Sequence, residues 1–337
     1  MEIWLAIILL LLGFVGLVKG ADWFVDGAAG IAKKLRVPQL IIGLTIVSFG
    51  TSAPELATSI ISSAQGSADI AVGNIVGSNI TNVLLILGLA AVICPLIVQK
   101  STLKIDFPVL IGSSVLLLCL GAFDNQLGRF DGWLMFILSL AYMLFLIWYA
   151  IRESKKDSAV SELNSHEVVS ETDDAPKSAF SAWFETMKEK TWFLCVMTLV
   201  GLALVVVGAL YGVIPGATAI AEKIGVSEKI IGLTIVAIGT SLPELVTCVI
   251  AAKKGETDIA VGDIVGSNVF NILRTLGLSA LIMPLPFESS FVVDGLIALG
   301  AVVLLAGMGY AKGNKIRRWG GVVMLLGFVA YYVYLFI

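Results

Sequence analysis

The sequence predicts an all-α integral membrane protein with ten transmembrane helices. Of its 337 residues, 58% are hydrophobic and 14% are charged, whereas soluble domains carry about 25% charged residues. Ten apolar stretches are each long enough to cross a bilayer, which takes about 20 residues. A gap-free internal repeat divides them into two sets of five. The chain is therefore expected to form two related five-helix units in lipid.

The ten predicted spans are separated by short polar connections and one long linker. The first and sixth spans are longer than a bilayer requires, which predicts that they are tilted. The spans lie at roughly 2–32, 38–64, 70–98, 104–122, 130–151, 191–221, 227–252, 259–284, 289–310 and 316–336.

The distribution of Lys and Arg predicts the orientation in the membrane. With the amino terminus outside, seventeen of the 22 basic residues fall in cytoplasmic connections and three in external ones. Cytoplasmic loops of membrane proteins carry such an excess of Lys and Arg. Both termini are therefore expected outside, and the linker 152–190 in the cytoplasm.

The linker 152–190 accounts for the net charge of −3, because it holds nine acidic and six basic residues. Its composition predicts a disordered or loosely helical segment, and no role is expected for its His166. The rest of the chain is balanced in charge, so nucleic-acid binding is not expected. The four cysteines lie in apolar runs without a Cys-x-x-Cys pair, which argues against disulfides and thiolate metal sites.

Residues 41–89 recur at 230–278 with a constant offset of 189, and 31 of the 49 positions are identical. Each copy belongs to one five-span unit, 1–151 and 191–337. Because five is odd, the second unit must enter the membrane in the opposite sense to the first. Inverted repeats are typical of secondary transporters, whose binding site lies near the midplane between the two copies.

Two glutamates stand at equivalent positions in the repeats, Glu55 in the second span and Glu244 in the seventh. Ionised side chains inside a membrane normally face a cavity or a partner. Neither glutamate has a basic residue nearby on its own helix, which predicts that cations from solution bind there. Residues three or four positions apart share one face of a helix. The polar residues that share a face with Glu55 are Thr45, Ser48, Ser52 and Ser59. Those that share a face with Glu244 are Thr234, Ser241 and Cys248, and Ala237 stands at the position of Ser48.

A proline directly precedes each glutamate, Pro54 and Pro243. Proline has no N–H, so it frees the carbonyl oxygen four residues earlier, which is that of Gly50 in the first copy. Helices broken in this way near the midplane expose carbonyl oxygens that can coordinate cations.

The third and eighth spans add further oxygen atoms. They carry small-residue pairs, Gly73/Gly77 and Gly262/Gly266, which permit close helix packing. Hydroxyl, amide, carboxylate and carbonyl oxygens suit hard cations such as Na⁺ and Ca²⁺, whereas zinc and copper prefer nitrogen and sulfur. The side chains at intervals of four are Asn74, Ser78 and Asn82, and in the second copy Asp263, Ser267 and Asn271.

The paired Gly-Thr-Ser-x-Pro-Glu and Gly-Ser-Asn-x-x-Asn strings resemble the two α-repeats of the calcium/cation antiporter superfamily, and most of all its compact prokaryotic sodium/calcium exchangers. The resemblance implies a ten-helix fold, in which the first and sixth spans slide across the other eight, and the exchange of Na⁺ for Ca²⁺. It implies a location in the plasma (inner) membrane of a prokaryote, with Na⁺, Ca²⁺ and the lipid bilayer as partners. No cofactor is expected, and the protein is expected to work as a monomer.

The resemblance also implies a role for each ligand. Glu55 and Glu244 would share Ca²⁺ with the backbone carbonyls of Thr51 and Thr240, and Asn82 and Asn271 would line the central position. An outer Na⁺ position would use Ala237, Thr240, Ser241, Glu55 and Ser78. An inner Na⁺ position would use Ser48, Thr51, Ser52, Glu244 and Ser267.

Three positions depart from the pattern. Asn271 stands where the potassium-dependent branch carries Asp, which argues for transport without K⁺. Asp263, which matches Asn74, is either an extra cation ligand or a residue at a wetted entrance. Arg274 either faces the site, where it would repel cations or pair with an acid, or packs elsewhere in the bundle. Asn74, Asp263 and Arg274 are therefore candidates for the ion pathway.

Three other functions compete with Na⁺/Ca²⁺ exchange. The nearest is Ca²⁺/H⁺ exchange through the same two carboxylates, although the many hydroxyl groups favour Na⁺. A cation channel is a second alternative, which the inverted repeat disfavours. An intramembrane hydrolase ranks last, because the only histidine lies in the linker.

Overall fold

The computed structural model describes residues 2–35, 37–66, 68–163, 190–223, 237–311 and 313–336. Twelve helices and four two-residue strands are numbered in chain order within these ranges. The helices are α1 Ile3–Leu35, α2 Gln39–Thr51, α3 Ala53–Ala64, α4 Ala68–Ile93, α5 Thr102–Asp124, α6 Arg129–Leu163, α7 191–223, α8 Ala237–Thr240, α9 Leu242–Lys253, α10 Thr257–Ile282, α11 Ser289–Tyr310 and α12 Arg318–Phe336. The strands are β1 Leu96–Ile97, β2 Gln126–Leu127, β3 Leu285–Pro286 and β4 Lys315–Ile316.

Eight helices of the described residues are long and apolar enough to cross a membrane, and the bent pair α2–α3 raises the number to nine. The tenth expected span, 227–252, is described only from residue 237 onward, as α8 and α9. Helix α6 continues to Leu163, so the first residues of the expected linker 152–190 are helical. Its residues 164–189, including His166, lie outside the described ranges.

Two predicted span ends are wrong. Residues 96–97 and 315–316 form strands and not helix ends, and β1 pairs with β4 while β2 pairs with β3, both antiparallel. These segments are strands because their backbone N–H and C=O groups need hydrogen-bond partners. Each strand finds them in a strand from the other half of the chain.

The repeat extends into the structure with the same offset of 189 residues. Helix α4 (Ala68–Ile93) recurs as α10 (Thr257–Ile282), and the strands recur in the same way. Both α4 and α10 contain a π-helical segment, Asn82–Leu87 and Asn271–Leu276. Such segments insert a residue into the helical turn and often occur at functional sites; here each begins at a predicted ligand.

The chain breaks at the predicted position in front of both glutamates. Helices α2 and α3 are bent by 45°, and Ser52 between them has φ −80° and ψ 8°. Ser241, between α8 and α9, has the matching values of −88° and 8°. Pro54 and Pro243 lie in the first turn of the helices that follow, where proline is tolerated. Each glutamate thus sits at the start of a half-helix.

Glycines bring the first and sixth spans into close contact. A Cβ added at Gly20 would lie 2.7 Å from the carbonyl oxygen of Gly201, and one added at Gly13 would lie 2.5 Å from the nitrogen of Val213. Helices α1 and α7 therefore pack backbone to backbone, as small residues permit.

The second repeat's glycine pair also acts as predicted. A Cβ at Gly262 would lie 2.7 Å from the carbonyl oxygen of Leu40, and one at Gly266 would lie 2.7 Å from Ser48 Oγ. Helix α10 therefore packs directly against α2. The first pair, Gly73/Gly77, is expected to pack in the same way against the equivalent part of the second repeat, residues 229–237. Most of those residues lie outside the described ranges.

Candidate ion-binding site

The two glutamates occupy a completely buried centre between the repeats. Glu55 is 1% exposed and Glu244 is 0% exposed. The half-helices α3 and α9 present both side chains from their first turns, where the positive end of the helix dipole favours negative charge. Packing of the two breaks against each other thus brings together residues 189 positions apart.

Each glutamate accepts a hydrogen bond from the serine of the other repeat. Ser52 Oγ donates to Glu244 Oε1 at 2.9 Å, and Ser241 Oγ lies 3.1 Å from Glu55 Oε1. Ser241 Oγ is also 3.3 Å from Ser78 Oγ. The expected members Glu55, Ser78 and Ser241 of the outer position are therefore adjacent.

The expected inner residues also lie together. Ser267 Oγ donates to the carbonyl oxygen of Ser48 at 3.4 Å, while Ser48 Oγ donates to Leu44 O at 2.9 Å. Thr51 is fully buried, one residue before Ser52. Thr240 is buried beside Glu55. The backbone of Ala237 lies at the start of α8, and its side chain is outside the description.

Four asparagines form a symmetric hydrogen-bonded cluster between α4 and α10, called here the asparagine clasp. Asn79 Nδ2 donates to Asn268 O at 3.3 Å, and Asn268 Nδ2 donates to Asn79 O at 3.2 Å. Asn82 Nδ2 donates to Asn268 Oδ1 at 2.9 Å, and Asn271 Nδ2 donates to Asn79 Oδ1 at 3.2 Å. All four amides therefore fix α4 against α10. The sequence patterns did not single out Asn79 and Asn268 as site residues, although both stand in the repeated Gly-Ser-Asn string.

Five buried acceptor oxygens of the site have no hydrogen-bond partner among the described residues: Glu55 Oε2, Glu244 Oε2, Asp263 Oδ2, Asn82 Oδ1 and Asn271 Oδ1. A buried polar atom without a partner is costly, so each requires an explanation. All five are acceptors on predicted ligand or pathway residues, which is the arrangement that a desolvated cation needs. In the described residues no cluster of three or more His, Cys, Asp or Glu side chains could hold a metal ion by itself. Neutral oxygens must therefore contribute to binding.

The three pathway candidates occupy different surroundings. Asp263 is fully buried, and its Oδ1 accepts a hydrogen bond from Thr51 Oγ1 at 3.0 Å. Asn74 Nδ2 donates to Ser59 Oγ at 3.1 Å and to Glu55 O at 3.4 Å.

Arg274 packs against aromatic rings and not against the glutamates. Its guanidinium carbon lies 4.9 Å from the ring centre of Phe49 and 5.1 Å from that of Phe270. Cation–π contacts at such distances stabilise an arginine that is partly removed from water. Arg274 thus packs against Phe49 of α2 and Phe270 of its own helix α10.

The apolar helices, the broken spans and the buried acidic centre define an integral membrane transporter for cations. Comparisons with known proteins agree: the model of the sodium/calcium exchanger protein family matches residues 5–148 and 193–337. The chain belongs to this family. It is a membrane antiporter for cations including Ca²⁺, and not an enzyme.

Individual relatives cover nearly the whole chain. The sodium/calcium exchanger MaX1 of Methanosarcina acetivorans is 38% identical over 356 residues, covering 98% of both chains. The putative antiporter CaxA of Alkalimonas amylolytica is 37% identical over 334 residues, again covering 98% of both. The solved structure of the sodium-calcium exchanger NCX_Mj soaked with zero Na⁺ and Ca²⁺ aligns with a TM-score of 0.81 at 31% identity, covering 99% of this chain and 100% of the other.

Proposed function

We propose that the protein exchanges Na⁺ for Ca²⁺ by alternating access, without K⁺, and that Glu55 and Glu244 are ligands shared by both ions. The observation that carries the proposal is the set of unpartnered oxygens on the two glutamates and on Asn82 and Asn271. The proposed ligand set is completed by the residues that the family resemblance implies: Thr51, Thr240, Ser48, Ser52, Ser78, Ser241, Ser267 and Ala237.

Formal charge explains why the two ions compete. Two ionised glutamates carry −2, which one Ca²⁺ or two Na⁺ neutralise. Ca²⁺ and a full set of Na⁺ would overload the same oxygens, so one species must leave before the other binds. An empty site keeps two unpaired carboxylates away from water, which is costly. The empty carrier therefore rarely changes sides, and this couples the two fluxes.

The proposed architecture places this site between two inverted units of five spans, 1–151 and 191–337. Both termini lie outside a prokaryotic plasma membrane, the 152–190 linker lies in the cytoplasm, and the protein functions as a monomer. Recurrence of helices and strands at the offset of 189 residues supports the two units. The close packing of α1 on α7 supports their sliding as one body across the remaining helices.

The experiment is Ca²⁺ uptake into proteoliposomes of the purified protein, loaded with Na⁺ and diluted into Na⁺-free buffer. K⁺ is absent and the pH is equal on both sides. We expect uptake that disappears when choline replaces internal Na⁺. Uptake that instead requires a pH gradient would overturn the proposal in favour of Ca²⁺/H⁺ exchange, and single-channel currents would overturn the carrier mechanism.

The matched variants are Glu55→Gln and Glu244→Gln, which keep the shape of the side chain and remove its charge. Each is expected to abolish Ca²⁺ flux while the protein still elutes as a folded species. Normal flux in either variant would contradict the two-carboxylate scheme. Asp106→Asn is the control, since it removes another buried acid, one that accepts a hydrogen bond from Tyr142 at 3.1 Å outside the site.

A further inference from the structure

A backbone carbonyl fixes the direction of the hydrogen bonds in the asparagine clasp. A carbonyl oxygen only accepts, whereas the amide of an asparagine side chain has one accepting and one donating end. Asn268 Nδ2 donates to the backbone oxygen of Asn79 at 3.2 Å. Turning this amide over would place two acceptors face to face. Asn268 Oδ1 must therefore point away from that carbonyl.

The orientation of Asn268 determines the orientation of Asn82. Asn82 Nδ2 donates to Asn268 Oδ1 at 2.9 Å, and this acceptor would repel the oxygen of a turned-over Asn82 amide. Both side chains are buried, so bulk water offers neither of them another partner. Asn82 Oδ1 is thereby left without a hydrogen-bond partner among the described residues.

The other half of the clasp shows the same arrangement with the two repeats exchanged. Asn79 Nδ2 donates to the backbone oxygen of Asn268 at 3.3 Å, and Asn79 Oδ1 accepts from Asn271 Nδ2 at 3.2 Å. Asn271 Oδ1 likewise has no partner in the part of the chain that the structure describes. Each of the two free oxygens is therefore set by an asparagine of the opposite repeat.

The orientation of these two amides decides what a cation would meet. Amide oxygens are ligands for hard cations such as Ca²⁺, whereas the NH₂ end of an amide carries only donors and repels a cation. A buried acceptor without a partner is costly, so an amide that could turn freely would not keep its oxygen unpaired. The clasp holds both oxygens free in spite of this cost.

We propose that Asn79 and Asn268 are positioning residues, which hold the oxygens of Asn271 and Asn82 toward the transported cation without binding it themselves. The inference rests on the proposed function, in which Asn82 and Asn271 line the central position. Each repeat thus orients a ligand of the other, across 186 residues of sequence for Asn82 and 192 for Asn271.

The test measures the Ca²⁺ concentration for half-maximal ⁴⁵Ca²⁺ uptake into Na⁺-loaded proteoliposomes. Asn268→Leu keeps the approximate size of the side chain and removes the acceptor for Asn82. We expect the half-maximal concentration to rise about tenfold, since loss of a partner that orients a metal ligand typically costs about 10–100-fold in affinity. Size-exclusion elution shows whether the variant is folded. If it is not, Asn268→Ala takes its place, and the same increase is expected.

A second substitution separates positioning from packing. A carboxylate presents an oxygen whichever way it turns, so Asn82→Asp makes orientation by Asn268 unnecessary. In the Asn82→Asp background, Asn268→Leu should therefore have no further effect. Asn271→Asp is the matched control, because it adds the same charge at the equivalent position. The Asn268 side chain does not orient Asn271, so in this background the increase caused by Asn268→Leu should remain.

The exchanged pair should give the mirror result. The effect of Asn79→Leu should disappear in the Asn271→Asp background and remain in the Asn82→Asp background. An unchanged half-maximal concentration in Asn268→Leu, or equal behaviour in the two aspartate backgrounds, overturns the inference while Na⁺/Ca²⁺ exchange stands. A wild type without Na⁺-dependent uptake instead overturns the proposed function itself.

Discussion

Ser52 Oγ donates a hydrogen bond to Glu244 Oε1 at 2.9 Å, across 192 residues of sequence. Ser241 and Glu55 make the equivalent contact in the other direction at 3.1 Å. Each repeat therefore supplies a carboxylate that the other repeat orients. Neither half can build the centre alone, because every carboxylate has its hydroxyl partner on the opposite half.

The cross-repeat hydroxyls lead to a prediction about ion selectivity. In Ser52→Ala and in Ser241→Ala, we expect the Na⁺ concentration for half-maximal exchange to rise roughly tenfold. Loss of a hydrogen bond to a charged group costs about 1.5–3 kcal/mol, and about 1.4 kcal/mol corresponds to a factor of ten. The half-maximal Ca²⁺ concentration should change less, since these hydroxyls are assigned to Na⁺ positions. Titration of ⁴⁵Ca²⁺ flux with each ion measures both values.

Ser139→Ala is the control for both serine variants, because Ser139 is a fully buried serine on α6. It should leave the Na⁺ and Ca²⁺ dependence unchanged. A larger effect of Ser52→Ala on Ca²⁺ than on Na⁺ would show that the hydroxyl serves the divalent ion.

The asparagine clasp predicts the result of introducing an acid at its centre. Asn271→Asp should preserve transport or add K⁺ sensitivity, as the family resemblance implies. It should also lower the melting temperature by a few degrees. The aspartate cannot donate the hydrogen bond that Asn271 gives to Asn79 Oδ1. That buried acceptor is then unsatisfied, which costs about 1–3 kcal/mol. Thermal unfolding and flux with and without K⁺ measure both effects.

Asn82→Asp is the mirror-image control, since Asn82 donates the equivalent hydrogen bond to Asn268 Oδ1. Its melting temperature should fall by a similar amount. Failure of Asn271→Asp to fold at all would mean that Asn271 serves packing and not the ion pathway.

Close packing of α10 on α2 predicts that Gly266→Ala destabilises the protein. The added Cβ would lie 2.7 Å from Ser48 Oγ and 2.8 Å from Leu44 O, so two helices must separate. Overpacking of this kind costs about 1–3 kcal/mol. We expect a melting temperature several degrees lower and reduced flux, because Ser48 and Ser267 move apart. Gly112→Ala is the control and should be tolerated, because its added Cβ meets no described atom within 4 Å. An unchanged melting temperature for Gly266→Ala would contradict the close packing of α10 on α2.

An ion-pair cluster holds α1 against the end of α9. Lys254 Nζ lies 2.6 Å from Asp22 Oδ1 and 2.5 Å from Asp26 Oδ1. If α1 slides during transport, these contacts must break. Lys254→Gln should therefore change the exchange rate by a small factor, since exposed pairs contribute about 0–1 kcal/mol, and high salt should reduce the difference from the wild type. Lys253→Gln removes the same charge one residue earlier and should have no such effect.

The same cluster predicts a pH dependence with a definite sign. Burial lowers the pKa of Lys254, but hydrogen bonds and charges of Asp22 and Asp26 outweigh it and raise the pKa above its usual 10.5. A raised lysine pKa gives stability that is complete below the unfolded pKa and lost as pH rises through the folded one. The difference in the free energy of unfolding between wild type and Lys254→Gln should thus be constant from pH 6 to about pH 9. A difference that disappears within this range would contradict the ion-pair assignment.

The membrane class, nine of the spans within a few residues and the break before each glutamate could be predicted from the amino-acid sequence. The same patterns singled out the two sets of residues that are proposed as ligands. These features follow from local properties: apolar length, proline chemistry and a repeated pattern of oxygen-bearing side chains. The span ends at residues 96–97 and 315–316 were wrong because pairing between β1 and β4 is not a local property.

The hydrogen-bond partner of each polar group depends on how the two halves of the chain pack together. Asn79 bonds with Asn268, Ser52 with Glu244, and Asp263 with Thr51 and not with Cys248 of its own repeat. The two repeats offer many of the same polar side chains twice, so a sequence pattern cannot distinguish partners within one copy from partners across the two. Packing of α10 on α2 makes that choice, because it brings the oxygens of both copies within hydrogen-bonding distance.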